Sequence, residues 1–317
     1  MSQAAGTLGE TSVEQMRKKP LPFYVDVLRR LIKEKPLGLI GLVIAVVFLV
    51  MAVAGPTIAP NDPTELRAGP RLEGPTMSNL MGTDPLGRDI FSRVIHGARV
   101  SVIISGLAVA IAAVISLLIG LVSGYFGGLF DLLSQRLVDA FLAFPALVFL
   151  IAVGAMFMGW DAPGLPTSGV WQTTNVLFCI ALGILFGVGQ SRVVRSAVLT
   201  VAALTYMEAA RATGAGHTRM IFKHVMPNVM APLITLATLN IGNAILIEAT
   251  LSFLGLGAPP DLPTWGNMLN QARVQLGQGA WWLAFFPGLA LSMVVFAFNM
   301  LGDALRDLLD PRLRTGA

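Results

Sequence analysis

The sequence predicts an all-α polytopic membrane protein with six transmembrane helices and both termini in the cytoplasm. Three observations carry this. The chain of 317 residues is 55% hydrophobic and only 13% charged, about half the charged share of a soluble domain. Its mean hydropathy is +0.72. Six apolar segments, 37–55, 100–124, 138–158, 176–194, 229–250 and 283–302, are long enough to cross a bilayer core of about 30 Å at 1.5 Å per helical residue. In lipid the backbone must satisfy its own hydrogen bonds, so these segments are expected as helices.

Before the first span, residues 1–20 are polar and aperiodic and read as disordered. Phe23, Val27, Leu28, Leu31 and Ile32 then recur at helical spacing opposite Asp26, Arg29, Arg30 and Lys33, the pattern of an amphipathic helix lying on the inner leaflet. The basic n-region is too long for a cleaved leader, so 37–55 is kept as a span despite the Met51-Ala-Val-Ala54 stretch at its end. Residues 56–99 form a Pro- and Gly-rich loop, with an amphipathic lead-in over 89–99. A core of five helices over 100–302 follows, interrupted by a cytoplasmic loop at 196–228, and a tail over 303–317 closes the chain. Arg192 and Arg195 at the end of the fourth span can snorkel to the headgroups.

Basic residues set the orientation. Arg17, Lys18, Lys19, Arg29, Arg30, Lys33, Lys35, Arg136, Arg192, Arg195, Arg211, Arg219, Lys223, Arg306, Arg312 and Arg314 fall on one side. Arg67, Arg71, Arg88, Arg93, Arg99 and Arg273 fall on the other, all but Arg273 in one long loop where the bias counts least. The positive-inside rule puts the richer side in the cytoplasm. Trp160, Trp171, Trp265, Trp281 and Trp282 all lie in or beside the outer loops, and Tyr24, Tyr125 and Tyr206 on the inner side. These aromatic belts support the span boundaries. The formal charge of +4 reflects this topology. No arginine-rich or aromatic-interleaved stripe suggests nucleic-acid binding.

The most informative stretch lies before the fifth span. Met207–Thr213, with Glu208-Ala209-Ala210-Arg211 inside it, is a good helix-forming run; Gly214 and Gly216 are placed to end it in a left-handed turn. A second helical run starts at His217, and Pro227 stiffens its approach to the membrane. The expected product is a helix–turn–helix elbow outside the bilayer. Its alanines would let a partner approach the backbone closely, with Glu208 and Arg211 as charged contacts. Glu-Ala-Ala alone means nothing. Combined with a glycine six residues after the glutamate and a proline nineteen after it, on a cytoplasmic loop before the penultimate span, it resembles the signature loop of ABC importer permeases. Met226 stands where that family often has leucine, a conservative change in packing.

Other stretches resemble the dipeptide/oligopeptide/nickel branch of that family, and the second of its two permeases. They are Gly82-Thr-Asp84-Pro-Leu-Gly87-Arg88-Asp89, Gly124-Tyr-Phe-Gly-Gly128 with Asp131 and Asp139, Phe144-Pro145, Ser252-Phe-Leu-Gly-Leu-Gly257 ahead of Trp265-Gly266-Asn267, and Asp310-Pro311-Arg312. The resemblance covers about residues 25–314. It implies a type I ABC importer permease fold in a bacterial inner membrane. It also implies a heterodimer with a second permease, two ATPase subunits and an extracytoplasmic substrate-binding protein. The ATPase-docking residues would be Glu208, Ala209, Ala210, Arg211, Gly214 and Gly216, with Ile221, His224 and Pro227 as the lever into span five.

No Gly-Lys pair occurs in the chain, so it has no P-loop; ATP would be bound by partner subunits and no cofactor is expected here. No Gly-x-Ser-x-Gly elbow supports nucleophilic catalysis, and the chain is not expected to be an enzyme. His96, His217 and His224 are scattered without metal-ligand spacing, and Cys179 is the single cysteine, so neither a metal site nor an intrachain disulfide is expected. Asn240, Asn243 and Glu248 share a broad face of span five and are candidates for the pathway. Helix gluing by the asparagines, and capping of a neighbouring helix or reaching outer water by Glu248, are the competing roles. Asp84, Arg88 and Asp89 fit either contact with a binding protein or the folding of their loop. Peptides, nickel complexes and other small solutes remain open as substrates. An ion-coupled secondary transporter would show inverted repeats and midplane ionisable groups, and neither is seen.

Overall fold

The computed structural model describes residues 23–309, apart from 158, 159, 161, 165, 167 and 168. The expected disordered tail at 1–20, the bases Arg17, Lys18, Lys19, Arg312 and Arg314, and the Asp310-Pro311-Arg312 ending lie outside the described residues.

Ten helices follow one another among the described residues. α1 (Phe23–Glu34) carries the amphipathic pattern, but only part of its apolar face meets protein. Leu31 is buried against Ala304 and Leu308, while Val25, Leu28 and Ile32 stay exposed. An ion pair between Lys35 and Asp307 fixes the junction. α2 (Pro36–Ile58) starts on a proline, whose missing N–H is no loss in a first turn. Gly38 and Gly41 let it close on the last long helix: a Cβ at Gly41 would stand 2.6 Å from the Ala297 carbonyl oxygen.

α3 (Ile90–Phe126) merges the expected lead-in and second span into one helix of 37 residues. Asp89 caps it by accepting from the Ser92 amide at 2.9 Å and the Ser92 hydroxyl at 2.7 Å, satisfying donors that a helix start otherwise leaves unpaired. At 1.5 Å per residue α3 is about 55 Å long, so its first turns stand outside the apolar layer within the loop.

The third span differs from the single helix expected over 138–158. Two helices, α4 (Gly128–Leu142) and α5 (Ala146–Met156), meet at a bend of 75°. Pro145 cannot donate a helical hydrogen bond and disfavours a helical conformation at Phe144. Upstream, Gly127 and Gly128 both adopt positive φ, +64° and +60°, and turn the chain out of α3. Five helices are thus individually long and apolar enough to cross a membrane, and a sixth crossing exists if the bent pair is one span.

α6 (Thr173–Ala202) runs eight residues past the expected end of span four, so 196–202, expected in a loop, is helical. It packs along α3 more extensively than any other pair of helices, because glycines face the partner from both sides. Cβ atoms at Gly183 and Gly187 would meet Ile111 and Ile115 side chains at 2.6 and 2.7 Å, and one at Gly120 would meet the Ser191 carbonyl oxygen at 2.6 Å. Without a hydrophobic drive inside lipid, such close backbone approach is what holds helices together. Gly120→Leu is expected to separate the pair, visible as loss of the monodisperse peak in size-exclusion chromatography. Gly106, whose Cβ would touch nothing within 4 Å, should tolerate alanine without change.

After the short α7 (Thr205–Ala212), α8 runs from His217 to Phe253 with a π turn at Met220–Val225. α9 (Trp265–Gln275) is an additional helix in the connection to α10 (Trp282–Leu309). Its cap is Thr264, which accepts from the Asn267 amide at 3.1 Å. α8, α10, α2 and the first half of α3 enclose a core centred on Trp265, Ile245, Val294 and Phe298. A second core joins α3, α5, α6 and α8 around Ile104, Leu150 and Leu182.

Candidate functional site

At the end of the bundle away from the tryptophans, the chain leaves α6 through an extended Leu204 and forms the elbow. Its anchor is apolar. Met207 is fully buried among Val194, Val198, Met220, Val225 and Val229, and Ala210 packs beside it three residues on. Glu208, Ala209, Arg211 and Ala212 are exposed. Met207 and Ala210, three residues apart, share the face toward the bundle, Glu208, Ala209 and Ala212 point away from it, and Arg211, one turn past Met207, stays exposed at the edge of the buried face.

The turn has a defined chemistry. The Gly214 amide donates to the Arg211 carbonyl at 2.9 Å and the Ala215 amide to the Ala210 carbonyl at 3.1 Å, the paired bonds of a Schellman motif. Gly214 has φ +82°, as that motif requires. Gly216 does not share it. Its φ of −68° and ψ of 163° are extended, and it precedes the first turn of α8. The expectation of a second left-handed glycine is thereby corrected: one residue in αL already satisfies the carbonyls at the end of α7. A Cβ on either glycine would meet nothing within 4 Å among the described residues.

Three polar contacts fix the elbow's angle. The Tyr125 hydroxyl, at the end of α3, lies 2.9 Å from His217 Nδ1. The His224 carbonyl accepts from Asn228 Nδ2 at 2.6 Å and from the Tyr206 hydroxyl at 3.3 Å. Pro227 cannot donate back into the preceding turn, and the π turn at Met220–Val225 precedes it within one continuous helix. Pro227 therefore sits inside a helical run rather than at its edge. Ile221 and His224 are half-buried along this run. Phe222, 63% exposed between the exposed Arg219 and Lys223, adds an apolar contact point that sequence reasoning passed over. Its signal was a lone aromatic inside a basic stretch.

Beside the elbow, Arg195 forms a two-pronged ion pair with Asp131, which also accepts from the Ser123 hydroxyl, and Arg192 pairs with Asp139. These bases hold α4 to α6, while Leu129, Leu133 and Leu137 on the other side of α4 remain exposed.

Asn240, Asn243 and Glu248 are not brought together. Glu248 is 1% exposed. Its Oε2 accepts from Ser101 on α3 at 3.0 Å and its Oε1 from Ser252 at 2.8 Å. Ser252 Oγ in turn accepts from the Ala258 amide at 3.3 Å. The carboxylate thus latches α8 to α3 and to the Gly-rich connection. Asn240 Nδ2 donates to its own helix at Leu236, and Asn243 is exposed. Glu248→Ala would leave the Ser101 and Ser252 hydroxyls buried without this acceptor, a cost of about 1–3 kcal/mol. A lower thermal midpoint is the expected result, with Glu248→Gln retaining most of the stability.

Asp84, Arg88 and Asp89 are all buried. Arg88 Nε is 2.6 Å from Asp84 Oδ2, and Asp84 Oδ1 accepts from the Leu86 and Arg88 amides at 2.8 and 2.9 Å. These residues build their own loop. Among the described residues, no group of three or more His, Cys, Asp or Glu side chains could hold a metal ion.

A family model described as the binding-protein-dependent transport system inner membrane component matches residues 116–315. The chain belongs to this family. Residues 23–75, comprising α1, α2 and the first part of the following loop, match a second model, the N-terminal TM domain of oligopeptide transport permease C. The permease is 42% identical over 283 residues to the dipeptide transport system permease protein of Escherichia coli K12, covering 87% of this chain and 89% of the relative. It is 39% identical over 284 residues to the protein of the same name from Alkalihalophilus pseudofirmus, covering 90% and 88%. It is 40% identical to the di/tripeptide transport system permease protein of Pseudomonas aeruginosa UCBPP-PA14, covering 87% and 88%. A solved structure titled as an amino acid ABC transporter with histidines is similar with a TM-score of 0.45 and 18% identity, covering 70% of this chain and 95% of that one. The permease is thus a multi-pass inner-membrane component of an ABC transporter, and its named relatives serve peptide transport.

Proposed function

We propose that this chain is one of two permease subunits of an ATP-driven peptide importer, coupled to separate ATPases through the elbow at 208–216. The observation that carries the proposal is the elbow's two-sidedness. Met207, Met220 and Val225 root it in the bundle, while Glu208, Ala209, Arg211 and Ala212 are presented outward, exposed among the described residues. A partner cleft that seats this face gains close backbone approach at Ala209 and around Gly214 and Gly216, and charged contacts at Glu208 and Arg211. The elbow end then faces the cytoplasm and the tryptophan-rich end the binding protein, as the distribution of bases requires.

Movement of a docked partner enters the bundle by two routes. One passes along α8, continuous from His217 to Phe253. The other passes through Tyr125 to the end of α3. The Glu248 latch joins these two helices again at their far ends. The transporter shifts between two packings of these helices, biased by the state of the ATPases. The chain performs no covalent chemistry, and ATP is bound by the partners.

The test is extraction from the native membrane in mild detergent with a tag on this chain. The expected result is copurification of an ATPase and of a second permease, and peptide uptake that requires all of them. Peptide uptake by this chain reconstituted alone would refute the proposal.

A further inference from the structure

At the tryptophan-rich end a cavity of ≈ 670 Å³ opens between the start of α3 and the connections around Asp62, Trp171 and Asp261. This is within the ~300–1,000 Å³ of small-molecule sites. It lies at the opposite end of the bundle from the elbow, and Val100 and Pro259, beside Ser101 and Ala258 of the Glu248 latch, are part of its wall. Six side chains give it its chemistry: Asp62, His96, Arg99, Trp171, Gln172 and Asp261.

Each presents a defined group. Asp62 accepts from the Thr64 hydroxyl and, at 2.8 Å, from the Thr64 amide, and these donors hold its carboxyl below the usual range. His96 Nδ1 lies 2.9 Å from the Ser92 carbonyl. A carbonyl only accepts, so that nitrogen carries a proton and Nε2 is left for the cavity. Arg99 and Asp261 are exposed, and neither has an ion-pair partner among the described residues. Gln172 is 7% exposed, and its Nε2, buried within the cavity wall, has no hydrogen-bond partner among the described residues. Such a donor is costly where it stands, and a turn of its side chain toward the cavity would give it a partner in a ligand bound there.

We propose that this cavity is the first docking site on the permease for a peptide substrate, recognised by its two charged termini. Arg99 receives the carboxylate, and Asp62 and Asp261 receive the ammonium group. Gln172 and His96 Nε2 offer a donor and an acceptor to the peptide bond, with Trp171 as an apolar wall for a side chain. The mixture of signs selects for a zwitterion: a metal cation would face the Arg99 guanidinium, and an inorganic anion would face two carboxylates. The assignment rests on the importer reading above.

The experiment uses the purified complex of this chain with its copurifying subunits in lipid nanodiscs, without a binding protein. Alanylalanine is titrated at millimolar concentrations and followed by tryptophan fluorescence, with the signal assigned by Trp171→Phe. Saturable binding is expected. N-acetyl-alanylalanine amide, which lacks both charges, should bind at least 10-fold more weakly. Arg99→Gln and Asp261→Asn, at exposed positions, should each weaken alanylalanine binding at least 10-fold while the subunits still copurify. Absence of saturable binding, equal binding of the blocked peptide, or unchanged binding by both variants would overturn the docking site. If the wild-type complex contains its ATPase and imports peptide yet gives one of those results, the docking site fails and the importer reading stands. If no ATPase copurifies, the importer reading fails instead.

Discussion

Glu208→Lys and Gly214→Val should each reduce peptide uptake at least 10-fold while leaving the amount of this chain in the membrane unchanged. Glu208 is exposed, so reversing its charge costs the isolated subunit little but inverts a charge on the face proposed to dock. A loss of about 2 kcal/mol there weakens docking about 30-fold. Gly214 acts through the backbone. A β-branched residue at φ +82° is strained by more than the 1–2 kcal/mol typical of a left-handed residue, so the Schellman turn opens and α7 loses its angle. Gly214→Asn is the informative control, because asparagine tolerates that conformation and should retain much of the uptake. Uptake assays paired with quantitative blotting of membranes would separate coupling from insertion.

The second large effect is expected at Trp265. The indole is fully buried, donates from Nε1 to the Val94 carbonyl at 3.0 Å and meets Phe48 edge-on at 5.5 Å. It joins α9 to α3 and α2 in one stroke. The fit is tight on both sides: a Cβ at Gly97 would lie 3.0 Å from the indole, and one at Gly266 would lie 2.3 Å from the Ala249 carbonyl oxygen. Trp265→Ala removes this wedge at a cost of about 3–5 kcal/mol. That corresponds to a fall of roughly 10 °C in the midpoint of thermal aggregation. Trp265→Phe should fall between the variant and the wild type, since the ring is kept and the hydrogen bond lost.

Where these residues could be anticipated follows from the range of the interactions involved. Spans are legible because their signal is local: an apolar run of sufficient length announces α2, α6, α8 and α10. The third was misread for a local reason too. Pro145 interrupts a run whose average hydropathy conceals the break, and α4 has a polar side on which Asp131 and Asp139 pair with Arg195 and Arg192 of α6 and Gln135 with Ser123 of α3. α9 escaped because Trp265, Met268 and Ala272, its buried positions, are separated by asparagine and glutamine and resemble loop composition. The Thr264 cap was the available sign. The elbow's helix–turn–helix form was readable from alanines, glycines and a proline at fixed offsets. Its anchoring was not, because Met207 finds Val194, Met220 and Val229 only in three dimensions. Glu248 is the extreme case. Its partner Ser101 is 147 residues away in sequence, so periodicity placed it with Asn240 and Asn243, whereas packing turns it inward.

The docking role of α7 is tested most directly by site-specific cross-linking. Cys179 is the single cysteine and is buried, so Cys179→Ala gives a cysteine-free background. In that background Ala209→Cys, on the exposed face of α7, is predicted to cross-link to an ATPase subunit in isolated membranes, with a yield that changes when ATP is added. Leu80→Cys, exposed at the opposite end of the bundle, is predicted to give no such product. Cross-linking to the ATPase from Leu80→Cys and none from Ala209→Cys would contradict both the topology and the coupling role of the elbow.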